Sequence, residues 1–150
     1  MRRFSSLDEF AAEQGEHLGY SEWHEVTQEQ IGKFAEATGD YQWIHVDAER
    51  AAQGPFGTTI AHGYLTLALL PVLMSQICQI DNLAMGVNYG LDRVRFPGPV
   101  RAGSRVRAGS KLTGVRDTQL GKLCRARVII EVEGQKRAAC IADTLSLYVP

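Results

Sequence analysis

The sequence predicts an α+β domain in which an antiparallel sheet wraps one buried helix. Helical apolar spacing fills the first half of the chain, and two-residue alternation takes over from Gly86 onward. One predicted helix, about residues 61–80, carries Leu65, Leu67, Ala68, Leu69, Leu70, Val72, Leu73 and Ile77 over nearly its whole circumference. A helix that is apolar all round is a buried helix. The simplest way to bury a single such helix beside several long strands is to wrap the sheet around it.

The first predicted element is a short amphipathic helix within residues 5–18. Ser5 or Ser6 would cap it, and Leu7, Phe10, Ala11 and Gln14 would share a face. Trp23 to Val26 reads as a short strand or extended lead-in. Thr27-Gln28-Glu29-Gln30 is a capping box, with Thr27 and Gln30 expected to satisfy each other's free N–H groups. Ile31, Phe34, Ala35 and Thr38 follow on one face, and Gly39 stands where a left-handed residue ends a helix. Asp47 is expected to cap a short helix over residues 48–52, which Gly54-Pro55-Phe56-Gly57 breaks. Thr58 or Thr59 would cap the apolar helix, and Pro71 should kink it. Strands are expected over 87–96, 105–115, 123–132 and 136–149 as a meander, with a two-residue turn at Glu133-Gly134.

The chain has 150 residues, 45% of them apolar and 22% charged. That is enough to build one globular domain spanning 1–150 with a substantial core. The formal net charge of −1 gives no whole-molecule attraction to nucleic acid or to an anionic membrane, so neither is an expected partner. The opening MRRFSSLDEF has no apolar h-region, so no signal peptide is expected. The apolar run Tyr64 to Met74 contains Thr66 and Pro71 and is too short to span a bilayer. Cys78, Cys124 and Cys140 fit neither zinc spacing nor a disulfide framework. Reduced, buried thiols in a cytoplasmic protein are expected.

The chemistry concentrates between Phe34 and Leu73. Asp40 follows the helix end at Gly39, and His45 lies five residues on. A carboxylate beside a neutral imidazole can polarise a water and move its proton. The same spacing is also compatible with Asp40 capping a turn and His45 being a satisfied loop histidine. Gly63, at the start of the apolar helix, has an N–H with no intrahelical partner and no side chain to keep a carbonyl away. It could form an oxyanion site for a thioester enolate, or simply permit tight packing. His62 and Tyr64 flank it and could line a pocket or pack structurally. Arg93, Arg95, Arg101, Arg105 and Arg107 alternate with apolar residues, as a solvated strand face does. The same cluster could receive the phosphates of coenzyme A.

Three segments carry a family resemblance. Ala37-Thr38-Gly39-Asp40-Tyr41-Gln42-Trp43-Ile44-His45 resembles the hydratase signature of the MaoC-like family, a T/S-G-D segment followed by Asn-Pro-hydrophobic-His. Gly57-Thr58-Thr59-Ile60-Ala61-His62-Gly63 resembles the segment opening that family's central helix. Val94-Arg95-Phe96-Pro97-Gly98-Pro99-Val100 resembles its RF-x-x-PV strand and turn. The resemblance implies a hot dog fold, usually homodimeric, and (R)-specific hydration of trans-2-enoyl-CoA. It implies that Asp40 and His45 are the catalytic pair and that the Gly63 amide binds the thioester oxygen. The coenzyme A thioester would be the substrate, with no metal or redox cofactor. Gln42-Trp43 departs from Asn-Pro, and here the chain resembles the nodulation protein N-like branch. The orienting role of the family's Asn would fall to Gln42, one methylene longer.

Two other functions are compatible with such a fold. A thioesterase is one, although residues 60–80 lack the acidic residue that many hot dog thioesterases carry on the central helix. A non-catalytic acyl-CoA or acyl-carrier binding module is the other. The last strand has apolar residues on both faces, Cys140, Ala142 and Tyr148 opposite Ile141, Leu145, Leu147 and Val149. A sheet around one helix covers only one of these faces, so a partner copy is expected on the other.

Overall fold

The computed structural model describes all residues, Met1–Pro150. Its centre is a broken helix, α5 (Gly63–Ala68) followed by α6 (Leu70–Ile77). Leu65, Leu69, Leu70, Leu73 and Ile77 are buried there. The break falls at Leu69, before Pro71 rather than at it. Pro71 sits in the first turn of α6, has no N–H to offer and would crowd the carbonyl four residues earlier. The helix also starts later and stops earlier than the apolar run suggests. His62 is the N-cap in place of Thr58 or Thr59, and Cys78–Ile80 is extended as strand β4.

The elements before the helix are short and sharply capped. Strand β1 (Arg2–Phe4) pairs in parallel with β4. Helix α1 (Leu7–Ala12) is capped by Ser6, and the Glu9 carboxylate reaches back to the Ser5 N–H. It ends before Gln14 because Gly15 takes a φ of 98°, and β2 (His17–Tyr20) follows where helix had been expected. Strand β3 (His24–Glu25) is the predicted lead-in. Helix α2 (Gln28–Thr38) begins at Thr27, whose hydroxyl accepts the Gln30 N–H. The reciprocal half of the capping box is missing, because the Gln30 side chain pairs with the His24 ring instead. Helix α2 ends at Gly39 with φ 79°, as its sequence predicts. Thr38 is exposed and its hydroxyl donates to the Phe34 carbonyl, so it does not extend the buried face. The short helices α3 (Trp43–Val46) and α4 (Ala48–Ala52) complete this half, the latter capped by Asp47.

The long strands are β5 (Met85–Arg95), β6 (Arg105–Asp117), β7 (Lys122–Val132) and β8 (Cys140–Val149). The sheet order is β2-β6-β7-β8-β5, with β3 also on β6. Strands β6 to β8 form the expected meander. Strand β5 does not continue it and instead flanks β8 at the far edge. The last strand starts at Cys140, not Lys136, since residues 133–139 form a longer connection than a two-residue turn.

Along β6 and β7 the alternation works as predicted. Val106, Ala108, Cys124, Ala126, Val128, Ile130 and Val132 are buried in the same apolar cluster as the central helix. This is the hot dog arrangement. One departure matters for function: the helix is not enclosed on all sides. Pro71 and Val72 are exposed, and Leu67 and Met74 are only half-covered.

Candidate active site

The sequence places Asp40, His45 and His62 in three different elements, and the fold gathers them. Asp40 stands on the turn that Gly39 creates. Its carboxylate accepts the Gln42 N–H at 3.3 Å, which closes the turn toward α3. His45 lies on α3 and is 6% exposed, while His62 caps α5 and is 2% exposed. One carboxylate oxygen of Asp40 and one ring nitrogen from each histidine all lie within 4.8 Å of one another. The two imidazoles stack, with centroids 3.8 Å apart and planes at 24°.

Hydrogen bonds to carbonyls define which nitrogens carry protons. His45 Nδ1 lies 2.7 Å from the Ile60 carbonyl, which can only accept, so Nδ1 is the donor. In the neutral ring the lone pair is then on Nε2. Burial holds His45 below the ordinary histidine value, and nearby His62 acts in the same direction, against the Ile60 bond and Asp40. His62 Nε2 donates to the Asp40 backbone carbonyl at 3.0 Å and lies 4.0 Å from its carboxylate. His62 Nδ1 is sealed in and has no partner. The three groups are close enough to suggest a cation site, but both rings already commit one nitrogen to a carbonyl. That leaves only His45 Nε2 and the enclosed His62 Nδ1 as lone pairs.

Sequence reasoning missed the frame that holds these residues. The Gln28 amide donates to the His45 carbonyl at 2.9 Å, and its oxygen accepts the buried Thr59 hydroxyl. The Ile60 N–H bonds the Ile44 carbonyl at 3.0 Å, and the Ala61 N–H bonds the Val100 carbonyl at 2.7 Å. The segment 59–61 is thereby clamped between α3 and the turn after β5. The capping-box pattern gives roles to Thr27 and Gln30 and none to Gln28, and no local spacing signals its second role.

The other predicted residues separate. Gly63 opens α5 and no side chain caps that helix. A Cβ there would meet the Phe96 ring at 2.9 Å, so close packing is one reason for a glycine. Tyr64 is 72% exposed and meets Phe96 edge-on at 6.2 Å. The Gln42 side chain is exposed and does not cap α3; the residue meets Asp40 through its backbone. The arginines do not form one patch. Arg105 and Arg107 pair with Glu133 and Glu131, and Arg101 donates to the Phe56 carbonyl.

A cavity of about 640 Å³ is lined by Leu67, Pro71 and Met74 of the central helix and by Val87, Leu91 and Tyr148 of the sheet. These helix positions continue the stripe on which Gly63 lies, starting one turn further on. Asp40, His45 and His62 are not part of its wall.

A long antiparallel sheet around one central helix, with an acid and a histidine gathered at that helix's start, defines a hot dog protein with a polar site. Comparison with known proteins agrees. The MaoC like domain matches residues 9–134, and the chain belongs to this family. It is 53% identical over 150 residues to the 3-hydroxyacyl-thioester dehydratase Z of Mycobacterium tuberculosis, with 99% of each chain covered. It is 45% identical over 145 residues to nodulation protein N of Rhizobium leguminosarum bv. viciae, covering 95% of this chain and 90% of that protein. Among solved structures, an (R)-hydratase from Pseudomonas aeruginosa shares the fold with a TM-score of 0.73 at 18% identity. That match covers 91% of this chain and 81% of the other.

Proposed function

We propose that this protein is a hydro-lyase that reversibly hydrates trans-2-enoyl-CoA to (R)-3-hydroxyacyl-CoA. The observation that carries the proposal is the convergence of Asp40 and His45 within a few ångströms beside the start of α5. The 3-hydroxyacyl-thioester dehydratase Z relative, similar over nearly its whole length, supports the reaction class.

The thioester carbonyl binds at the Gly63 N–H, where the partial positive charge of the helix start favours enolate character. Asp40 and His45 hold one water between them. The water oxygen bonds to C3, the π electrons move toward C2 and the thioester, and the pair takes the water's proton. A proton from the pair then reaches C2, so that H and OH are added across the double bond. The two groups act as a coupled unit. His45 contributes the Nε2 lone pair and Asp40 an accessible carboxylate. The acyl chain lies along the helix stripe toward the cavity beside Leu67 and Pro71.

The protein acts as a homodimer in this reading. Strand β5 is an exposed edge, with Met85, Val87, Tyr89 and Leu91 in solvent. Pro71 lines the cavity and the neighbouring Val72 is exposed, and a second copy would cover apolar surface that one chain leaves bare.

The test is loss of the conjugated thioester absorbance of crotonyl-CoA, run beside Asp40→Asn, with chiral analysis of the product. Turnover in the parent and its loss in the variant support the reading, and an (S) product would overturn the stereochemistry. Release of free coenzyme A without hydration would make the protein a thioesterase. Stabilisation by acyl-CoA without any turnover would make it a binding module.

A further inference from the structure

We propose that His62 is the positioning residue of the Asp40–His45 pair: through one ring it holds the acid's turn and backs the catalytic imidazole. This rests on the hydratase reading, and it removes His62 from the substrate contacts that the sequence suggested.

The ring touches each part of the site. Its Nε2–H donates to the Asp40 carbonyl at 3.0 Å, tying the turn after α2 to the start of α5. One ring face lies 3.8 Å from His45 in a stacked arrangement. Phe34 of α2 packs against it with centroids 4.9 Å apart at 56°. The remaining nitrogen, Nδ1, is enclosed and unpartnered. Neither nitrogen is therefore open to a substrate, and a ring wedged between Phe34 and His45 has no freedom to turn outward. A buried polar atom left without a partner carries a cost. An apolar side chain of similar shape would avoid that cost, and what it would lose is the bond to Asp40.

The position next to Gly63 adds a second consequence. The side chain of His62 holds the water-activating pair, while the next amide in the chain is the proposed thioester contact. One dipeptide then sets the distance between the carbonyl and the water. Misplacement of about 1 Å in such a geometry is worth on the order of 100-fold in rate.

The test separates the two functions of the ring. His62→Phe keeps the aromatic volume and loses the donor. His62→Gln offers a donor near the Nε2 position and loses the stacking. Both are checked for fold by circular dichroism and thermal unfolding, and the glutamine variant decides the matter if the phenylalanine variant does not fold. We expect kcat on enoyl-CoA to fall on the order of 10–100-fold in His62→Phe, KM to stay within about threefold, and partial recovery in His62→Gln. A raised KM at unchanged kcat would make His62 a substrate contact and overturn the proposal, as would unchanged kcat in both variants.

A second readout needs no turnover. Asp40 and His62 are the titratable groups that act on His45. Losing His62 removes one of the groups that act on His45, so the NMR titration midpoint of His45 should move in both variants, and the acid limb of kcat with it. An unmoved His45 midpoint in folded variants overturns the positioning role. Absence of turnover in the parent protein would instead overturn the hydratase reading and leave this titration to judge His62.

Discussion

Asp40→Asn is close to a pure test of charge. The amide keeps an oxygen that can accept the Gln42 N–H, and the side chain is exposed, so neither packing nor the turn depends on the carboxylate. Turnover should drop by about 10²–10⁴-fold while thermal stability stays within about 0.5 kcal/mol. The histidine behaves differently. Burial lowers His45, so the folded protein holds this ring neutral at a pH where the unfolded chain would protonate it. Stability from this group is therefore complete above about 6.5 and falls as pH drops below that value toward the lowered folded one. Unfolding by urea at a series of pH values should show this loss in the parent and its reduction in His45→Gln. The positions of Asp40 after α2, His45 on α3 and Gly63 at the start of α5 follow from short local patterns. Those of Gln28 and Thr59 do not, because their bond joins positions 31 residues apart, and no local spacing announces it.

Among the elements, α2 and its glycine stop position the site most directly. Gly39 is left-handed, and a Cβ there would touch nothing, so its substitution carries a backbone cost alone. Gly39→Ala should destabilise by about 1–2 kcal/mol in urea unfolding and should also reduce turnover, because Asp40 is the next residue. A matched substitution at the helical Gly32, where a Cβ also has open space, should instead be neutral or stabilising. Helix α2, the cap of α4 and the alternation of β6 and β7 could all be read from periodicity and capping chemistry. The central helix could be read as apolar but not in its limits. Hydrophobicity alone does not separate a helix end from the strand at Cys78–Ile80 that continues it. Strand β2 was hidden because Gly15 and Gly19 interrupt any alternation within four residues of chain.

The whole molecule decides two further outcomes. No helix is long and apolar enough to cross a membrane. Cys124 and Cys140 are free thiols pushed up to about 11 by burial, and Cys78 is also raised. Thiolate is the reactive form, so alkylation near neutral pH should be slow in the native protein and should accelerate together with unfolding. Fast modification of Cys124 or Cys140 under native conditions would contradict the packing described. The proposed homodimer is tested by light scattering and sedimentation: the mass should be twice that of one chain, and charged substitutions at Val87 and Tyr89 should shift it toward the monomer. The sheet order itself was beyond the sequence. Nothing in Met85–Arg95 states that its neighbour will be β8 instead of the strand that follows it in the chain.

That order has a consequence for how the protein is made. Strand β8 follows the other strands of its sheet in chain order, yet it lies inside the sheet, between β7 and β5. A ribosome adding about 5–20 residues per second needs on the order of 4–15 s to pass from Ile77 to the end of β8. Until β8 emerges the central helix lacks part of the wall that covers it, and β5 has no neighbour in the sheet. The nascent chain is a natural client for a holding chaperone, and a stall within β8 would leave its oiliest segment only partly covered. Slow codons before β8 should therefore lower soluble yield more than the same codons placed after Leu145.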